Sequence, residues 1–366
     1  MQQQISGGLY AAVLAIMGSV MPYMLLPRAL VQYAGQEAWL AILLGGLYGL
    51  AVSLVTVWAA CRFSHRDPVK ALRCAFGPWA ALPVALLYSA LNLLLSALAL
   101  HDVQTFTSIL LLPGTPGWVL APMIAGVAIY AVVRGVEPVS RIAFAVFLPM
   151  VLVILVLPTG LFREFDILQI DPFLYRGLDG LVRAISVTLA WTGQSIVALS
   201  FIRHLSPKVN PYLWTVIGVG GAHVLLGVTM ALITLVFGSV LPGRLLYPGF
   251  ELFAIIAVSE AVERIQAAVM VLWLAGGLLK VTVNLFAAVE ELSVTFNVHR
   301  RGWITAVLAV IAMGAAQILP GPLQRTGLTA QAWWNILHVG LQLAILLLLA
   351  IGALVGRLRQ GAMASG

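Results

Sequence analysis

Along most of its length the chain alternates long apolar runs with short polar breaks. An apolar run of about 20 residues crosses a bilayer as a helix, because hydrocarbon offers the backbone no hydrogen-bond partner. Ten such runs are read near 6–33, 37–61, 79–111, 118–134, 140–159, 179–203, 212–240, 262–290, 302–319 and 332–356. No stretch between them is long and polar enough for a soluble domain, so residues 1–366 read as one transmembrane domain.

Composition sharpens this. Of 366 residues, 61% are hydrophobic and 9% charged, against roughly 45–50% and 25% in an average soluble protein. So few charges cannot cover a globule of this size, which excludes a soluble fold. Clustered basic faces with exposed aromatics are missing, so nucleic acid is not an expected partner. Cys61 and Cys74 form no CxxC pair, and no histidines sit at metal spacing, so reduced thiols, no metal and no cofactor are expected. Met1-Gln2-Gln3-Gln4 lacks the positive region of a secretory signal, so the first run is expected to be a retained span.

The positions of the charges set a direction. With the N-terminus cytoplasmic, the inner segments hold Arg62, Arg66, Lys70, Arg73, Arg134, Arg141, Arg203, Lys208, Arg300, Arg301, Arg357 and Arg359. Seven arginines, 28, 163, 176, 183, 244, 264 and 325, fall at outer ends or loops, and Lys280 alone falls inside a span. The short loops obey the positive-inside rule, so both termini are expected in the cytoplasm. Glu164, Asp166, Asp171 and Asp179 crowd the connection between spans five and six. That segment and the one near 241–262 are expected to pack as an outer lid. Tryptophans 39, 58, 79, 118, 214, 303 and the pair 333–334 mark interfacial ends, whereas Trp191 and Trp273 fall well inside spans.

Two spans carry interruptions near mid-depth. Span one reads Gly18-Ser19-Val20-Met21-Pro22, where proline removes a donor and glycine tolerates unwinding. Span six reads Trp191-Thr192-Gly193-Gln194-Ser195. Kinks alone would account for either, but spans one and six open two five-helix halves that cross in opposite directions, about 6–159 and 179–356. Paired breaks at corresponding places in inverted repeats point to a transporter-type binding site. An opened helix presents N–H groups and carbonyls, suited to a zwitterion such as an amino acid.

Other polar positions inside spans join the candidate site or stay structural. Tyr88, Asn92 and Ser96 form a one-faced stripe on span three, fit either for solute contact or for interhelical bonding. Lys280 needs carbonyls, a carboxylate or water around it. His101-Asp102 is placed near the outer interface as a structural pair with a basic residue such as Arg264, and His223 and His338 read as packing histidines. The ligand-binding candidates are therefore Gly18, Ser19, Pro22, Tyr88, Asn92, Ser96, Trp191, Thr192, Gly193, Gln194 and Lys280. An intramembrane enzyme is disfavoured: there is no GxSxG, no metal ligand set and no carboxylate pair at mid-span.

Three segments carry a family resemblance: Gly35-Gln36-Glu37-Ala38-Trp39, Leu111-Leu112-Pro113-Gly114-Thr115-Pro116 and Gly135-Val136-Glu137-Pro138-Val139-Ser140-Arg141. With Leu246 to Leu252, Glu263 to Ala267 and Trp273 to Lys280, they resemble the spore germination receptor B-subunit family, a branch of the amino acid-polyamine-organocation transporter superfamily. Lys280 matches a lysine common in that family. Gln194 and Gln266 stand where members often carry glutamate, which removes a charge while keeping hydrogen bonding. The resemblance implies an all-α membrane protein of ten helices, a LeuT-like 5+5 inverted repeat with broken spans one and six. It further implies a nutrient-sensing subunit of the spore inner membrane working with an A-type subunit and a C-type lipoprotein. Under that likeness, Lys280 is expected near the opened part of span one, its ammonium replacing the ion of sodium-coupled carriers. The alternative on the same scaffold is a secondary amino acid transporter or a water or ion conduit.

Overall fold

The computed structural model describes residues 4–62, 66–67, 72–73, 77, 79, 81–255, 260–298, 300–319 and 328–364, and of 260–266, 328–332 and 356–364 the backbone alone. Lys70, Cys74 and Arg325, and the side chains of Arg264, Gln266, Arg357 and Arg359, lie outside the described residues.

Ser6 caps the first helix by accepting from Leu9 N–H, and α1 then runs from Gly7 to Ala34. Gly35 follows at φ 63°, a left-handed conformation that glycine adopts at little cost, and turns the chain into α2, Ala38–Cys61. α3 is Ala81–Phe106, continued as a π turn over Thr107–Leu111; α4 is Gly117–Arg134 and α5 Val136–Leu161. α6 (Gly177–Thr192) tightens to a 3-10 segment over Gly193–Val197 before the short α7, Ala198–Ile202. α8 (Pro211–Thr215) passes through a π turn into α9, Gly221–Phe237. α10 (Pro248–Ile255), α11 (Glu260–Thr295), α12 (Arg301–Ile318) and α13 (Leu328–Ala364) complete the chain. Among the described residues, nine continuous helical stretches are long and apolar enough to cross a membrane, and the first, Gly7–Cys61, holds both α1 and α2. The ten apolar runs therefore all appear, in a helical bundle whose one β-bridge among the described residues joins Ile5 to Leu205.

Burial sorts the helices into a centre and a rim. α1 is enclosed over most of its length, and α6–α7 and α11 are largely buried, whereas α4, α5 and α12 leave much of their surface open, as lipid-facing helices do. α3 pairs most extensively with α11, and α2 with α6 and α9. Close approach of α2 to α6 rests on small residues: a Cβ at Gly49 would stand 2.6 Å from the Thr192 carbonyl oxygen.

The break expected in span one is not there. α1 is continuous through Gly18 and Pro22. Pro22 and Pro27 each withdraw one N–H, so the Gly18 and Tyr23 carbonyls lose their helical donors, and a buried helix gripped on all sides tolerates that. Span six does depart from α geometry at the expected place, but it tightens rather than opens.

Of the two segments expected to pack as an outer lid, the described part of one, 241–255, packs on the bundle. Pro248, Phe250, Leu252 and Phe253 of α10 are buried, and Tyr23 Oη on α1 donates to the Gly249 carbonyl at 3.0 Å. Residues 162–179 instead stand largely exposed, because their bonds to the bundle run mainly through backbone atoms.

Candidate functional site

Carbonyls of α1 meet donors from α11 on one seam. Trp273 Nε1 donates to the Val20 carbonyl at 3.0 Å, and about two turns further along α11 Lys280 Nζ donates to the Met17 carbonyl at 3.2 Å. Lys280 is 2% exposed, and its ammonium also lies 5.2 Å from the centre of the Trp191 ring, whose negative face attracts a cation. Both tryptophans that fell outside the interfacial pattern thus stand at this seam.

Beside the seam lies a cavity of about 20 Å³, lined by Met21, Leu95, Leu98, Ala99, Asp102, Ala190, Trp191, Gln194, Lys280, Trp334 and His338. That space holds about one water. Gln194 Oε1 is buried with no hydrogen-bond partner, an acceptor aimed at nothing the protein supplies. Asp102 brings a carboxylate into the same lining, and the Trp334 ring lies 4.2 Å from that of His338. One cation, one carboxylate, an open amide acceptor and two tryptophan rings face a space shielded from water, where polar interactions are stronger than at a surface.

Of the expected site residues, Trp191, Gln194 and Lys280 line this cavity together. Gly18 faces the other way: a Cβ there would stand 3.3 Å from His223 Cε1 on α9. Ser19 Oγ bonds back to the Ala15 carbonyl at 2.6 Å, and Pro22 is buried in the α1 core. Thr192 Oγ1 turns back to the Leu189 carbonyl, and Gly193 is crowded by Gln342 of α13, whose Oε1 would lie 2.0 Å from a Cβ there. Gln342 Nε2 donates to the Ala190 carbonyl at 3.3 Å. The span-six glycine thus makes room for a neighbouring side chain rather than for a ligand.

The polar groups of the span-three stripe are engaged inside the protein. Tyr88 Oη is 2.9 Å from Ser200 Oγ, Asn92 Nδ2 donates to the Tyr88 carbonyl, and Ser96 Oγ donates to the Val281 carbonyl at 3.0 Å. These bonds lock α3 to α7 and α11.

Asp102 and His338 belong to the cavity, where the sequence placed one at the interface and the other in packing. Counting residues from the start of a helix misjudged Asp102, because α3 with its π turn runs from Ala81 to Leu111, 31 residues, and residue 102 lies well before its end. The signal was present: Asp102 is an acid inside an apolar run, as Lys280 is a base inside one. His101 Nδ1 pairs with the Ala316 carbonyl at 2.8 Å. His223 is buried in the packing, with Nδ1 against the Val219 carbonyl at 2.7 Å but Nε2 without a hydrogen-bond partner.

A second polar centre, missed from sequence, seals the end of the bundle that carries the N-terminus. Arg203 Nη2 donates to Glu291 at 2.8 Å and its guanidinium approaches Glu290 and Asp67, while His204 Nε2 lies 3.1 Å from Glu290 and Arg301 also bonds Glu290. Burial alone would lower the Arg203 pKa, but Glu291, Asp67 and Glu290 together raise it above its ordinary value. The backbone closes the same end, with Ile5 N–H to the His204 carbonyl at 2.9 Å and Ser206 N–H to the Ile5 carbonyl at 3.1 Å. The adjacent acids Glu290-Glu291 at the end of a span were the available signal.

The comparisons with known proteins accord with this architecture. The profile of a family described as spore germination protein matches residues 10–324. Spore germination protein XB of Bacillus anthracis is 23% identical over 341 residues, covering 90% of this chain and 91% of that protein. Spore germination protein YndE of Bacillus subtilis (strain 168) is 22% identical over 289 residues, covering 78% and 79%. Among solved structures, MhsT in complex with L-phenylalanine superposes with a TM-score of 0.65 at 16% identity, covering 95% of this chain and 98% of that one. Mhp1, a nucleobase-cation-symport-1 family transporter, gives 0.65 at 14% identity, covering 92% and 75%. At such identities the structural likeness establishes the fold, that of LeuT-type transporters.

Proposed function

The chain belongs to the family of spore germination proteins, and on that premise we propose that it is the permease-like subunit of a germinant receptor, binding a small nutrient such as an amino acid in the Lys280–Asp102–Gln194 cavity. The observation that carries this reading is the buried, unpartnered Gln194 Oε1 facing the same space as a lysine and an aspartate. A zwitterion satisfies all three: its ammonium suits Gln194 Oε1 and Asp102, and its carboxylate suits Lys280. A ligand acts by favouring one of two helix arrangements, so its contacts must differ between them.

Lys280 Nζ holds the α1 carbonyl of Met17, the role that a metal cation fills in sodium-coupled carriers. The two five-span halves serve as the moving bodies. The protein sits in the spore inner membrane with both termini cytoplasmic, alongside an A-type subunit and a C-type lipoprotein, whose genes are expected beside its own.

The test is a panel of single nutrients added to the purified protein in nanodiscs, read by thermal shift, together with germination of a deletion strain rescued by the wild type. One nutrient class is expected to raise the melting temperature of the wild type and to depend on this gene for germination. A panel with no shift and no gene-dependent response overturns the reading. Sustained uptake of labelled solute into vesicles containing this chain alone would assign it instead to transport, the activity of its structural neighbours.

A further inference from the structure

Residues 162–178 link α5 to the start of α6 at the end of the bundle remote from the N-terminus; Phe165 and Leu174 pack against the core, while most of the other apolar side chains point away from the protein. Phe162 is 72% exposed, Ile167 77%, Leu168 78%, Phe173 58% and Tyr175 72%. A loop bathed in water does not present such a row, since each of these side chains loses its hydrophobic stabilisation when left wet. The attachments to the bundle do not cover them. Asp166 N–H donates to the Leu235 carbonyl at 3.0 Å, Gln36 donates to the Pro172 carbonyl, Glu37 accepts from Leu174 N–H, and Arg176 donates to the Gln32 carbonyl at 2.7 Å.

What covers the row follows from its surroundings. On one flank it continues the exposed stripe of α5, Leu148, Leu152, Leu155 and Val156; on the other it leads into Leu178 and Val182 of α6. Both stripes belong to membrane-crossing helices, so the surface they share with the loop is wetted by lipid. Phe162, Phe173 and Tyr175 suit the headgroup level, where aromatic rings concentrate, and Trp118 and Trp333 are exposed at the same end of the bundle. The segment holds Arg163 and Arg176 against Glu164, Asp166 and Asp171. Attraction to an anionic surface is therefore not what would hold it.

We propose that residues 162–178 lie in the membrane–water boundary as a lipid-bound strap, with Ile167, Leu168 and Phe173 set among phospholipids. Gln36 and Glu37 tie this strap to the turn between α1 and α2. The motif Gly35-Gln36-Glu37 thereby gains a purpose: it links a lipid-seated segment to the helix that carries Met17 and Val20.

The experiment places a nitroxide singly at Leu168, Phe173 or Tyr175 of the full chain carrying Cys61→Ser and Cys74→Ser, in phosphatidylcholine nanodiscs, with Lys208 labelled as the aqueous reference. Accessibility to oxygen is expected to exceed accessibility to a water-soluble nickel chelate at all three sites, the reverse of Lys208, and to stay unchanged when phosphatidylglycerol is added. Nickel accessibility like that at Lys208 overturns the proposal, as does exclusion of both reagents, which would mean a protein surface covers the row. Because the three positions are exposed, a label that perturbs folding at one leaves the other two to decide.

Discussion

At Lys280 a charged group is stranded in the least aqueous part of the molecule, and its surroundings say what it is for. The ammonium meets a backbone carbonyl and an aromatic face, and shares its cavity with Asp102. Replacing both members of a buried charged pair with neutral groups of like volume is often neutral or stabilising, whereas removing one leaves the other uncompensated. The double change Lys280→Met with Asp102→Asn is therefore expected to keep the melting temperature within a few degrees of wild type while abolishing the nutrient-induced shift; a parallel loss of folded protein would reduce the two charges to a structural tie. Gln194→Leu follows the same logic. Removing an unsatisfied buried acceptor recovers its penalty of about 1–3 kcal/mol, so this variant is expected to melt no lower than wild type yet to bind nothing, as measured by thermal shift with and without nutrient.

Among the elements, what the sequence disclosed depended on period and what it hid depended on depth. Apolar runs of about bilayer length named the ten helices because length and hydrophobicity are local properties. The line of the candidate site was half legible. Trp191, Gln194 and Lys280 stood out as residues that lipid would reject, and the structure brings them together. Gly18, Ser19 and Pro22 also broke the local rules, yet α1 absorbs them by packing, which no local pattern reports. Asp102 and His338 were visible but assigned to other depths, since helix ends, not sequence, decide which turn reaches the cavity. Packing between α2 and α6 gives its own test. Gly49→Ala pushes a methyl into the Thr192 carbonyl, and is expected to cost about 1–3 kcal/mol, measured as a lowered unfolding midpoint in detergent.

For the molecule as a whole, two polar centres sit at different levels of one bundle: the central cavity, and the Arg203–Glu290–Glu291 cluster at the end that carries the N-terminus. Arg203→Met leaves Glu291 buried without its closest cation, at an expected cost of about 3–5 kcal/mol. The double change Arg203→Met with Glu291→Met is expected to recover most of that loss, and a double variant no more stable than the single would show that the pair acts separately.

The smallness of the central cavity has a kinetic consequence. A space of about 20 Å³ admits one water and no amino acid, so the conformation described here is one that must first come apart for a nutrient to enter. On the proposed reading, association then waits on the helices: the observed rate should level off with rising nutrient concentration in stopped-flow measurements, at the frequency with which they part. On the reading proposed above, such a sensor answers a nutrient no faster than its own helices open.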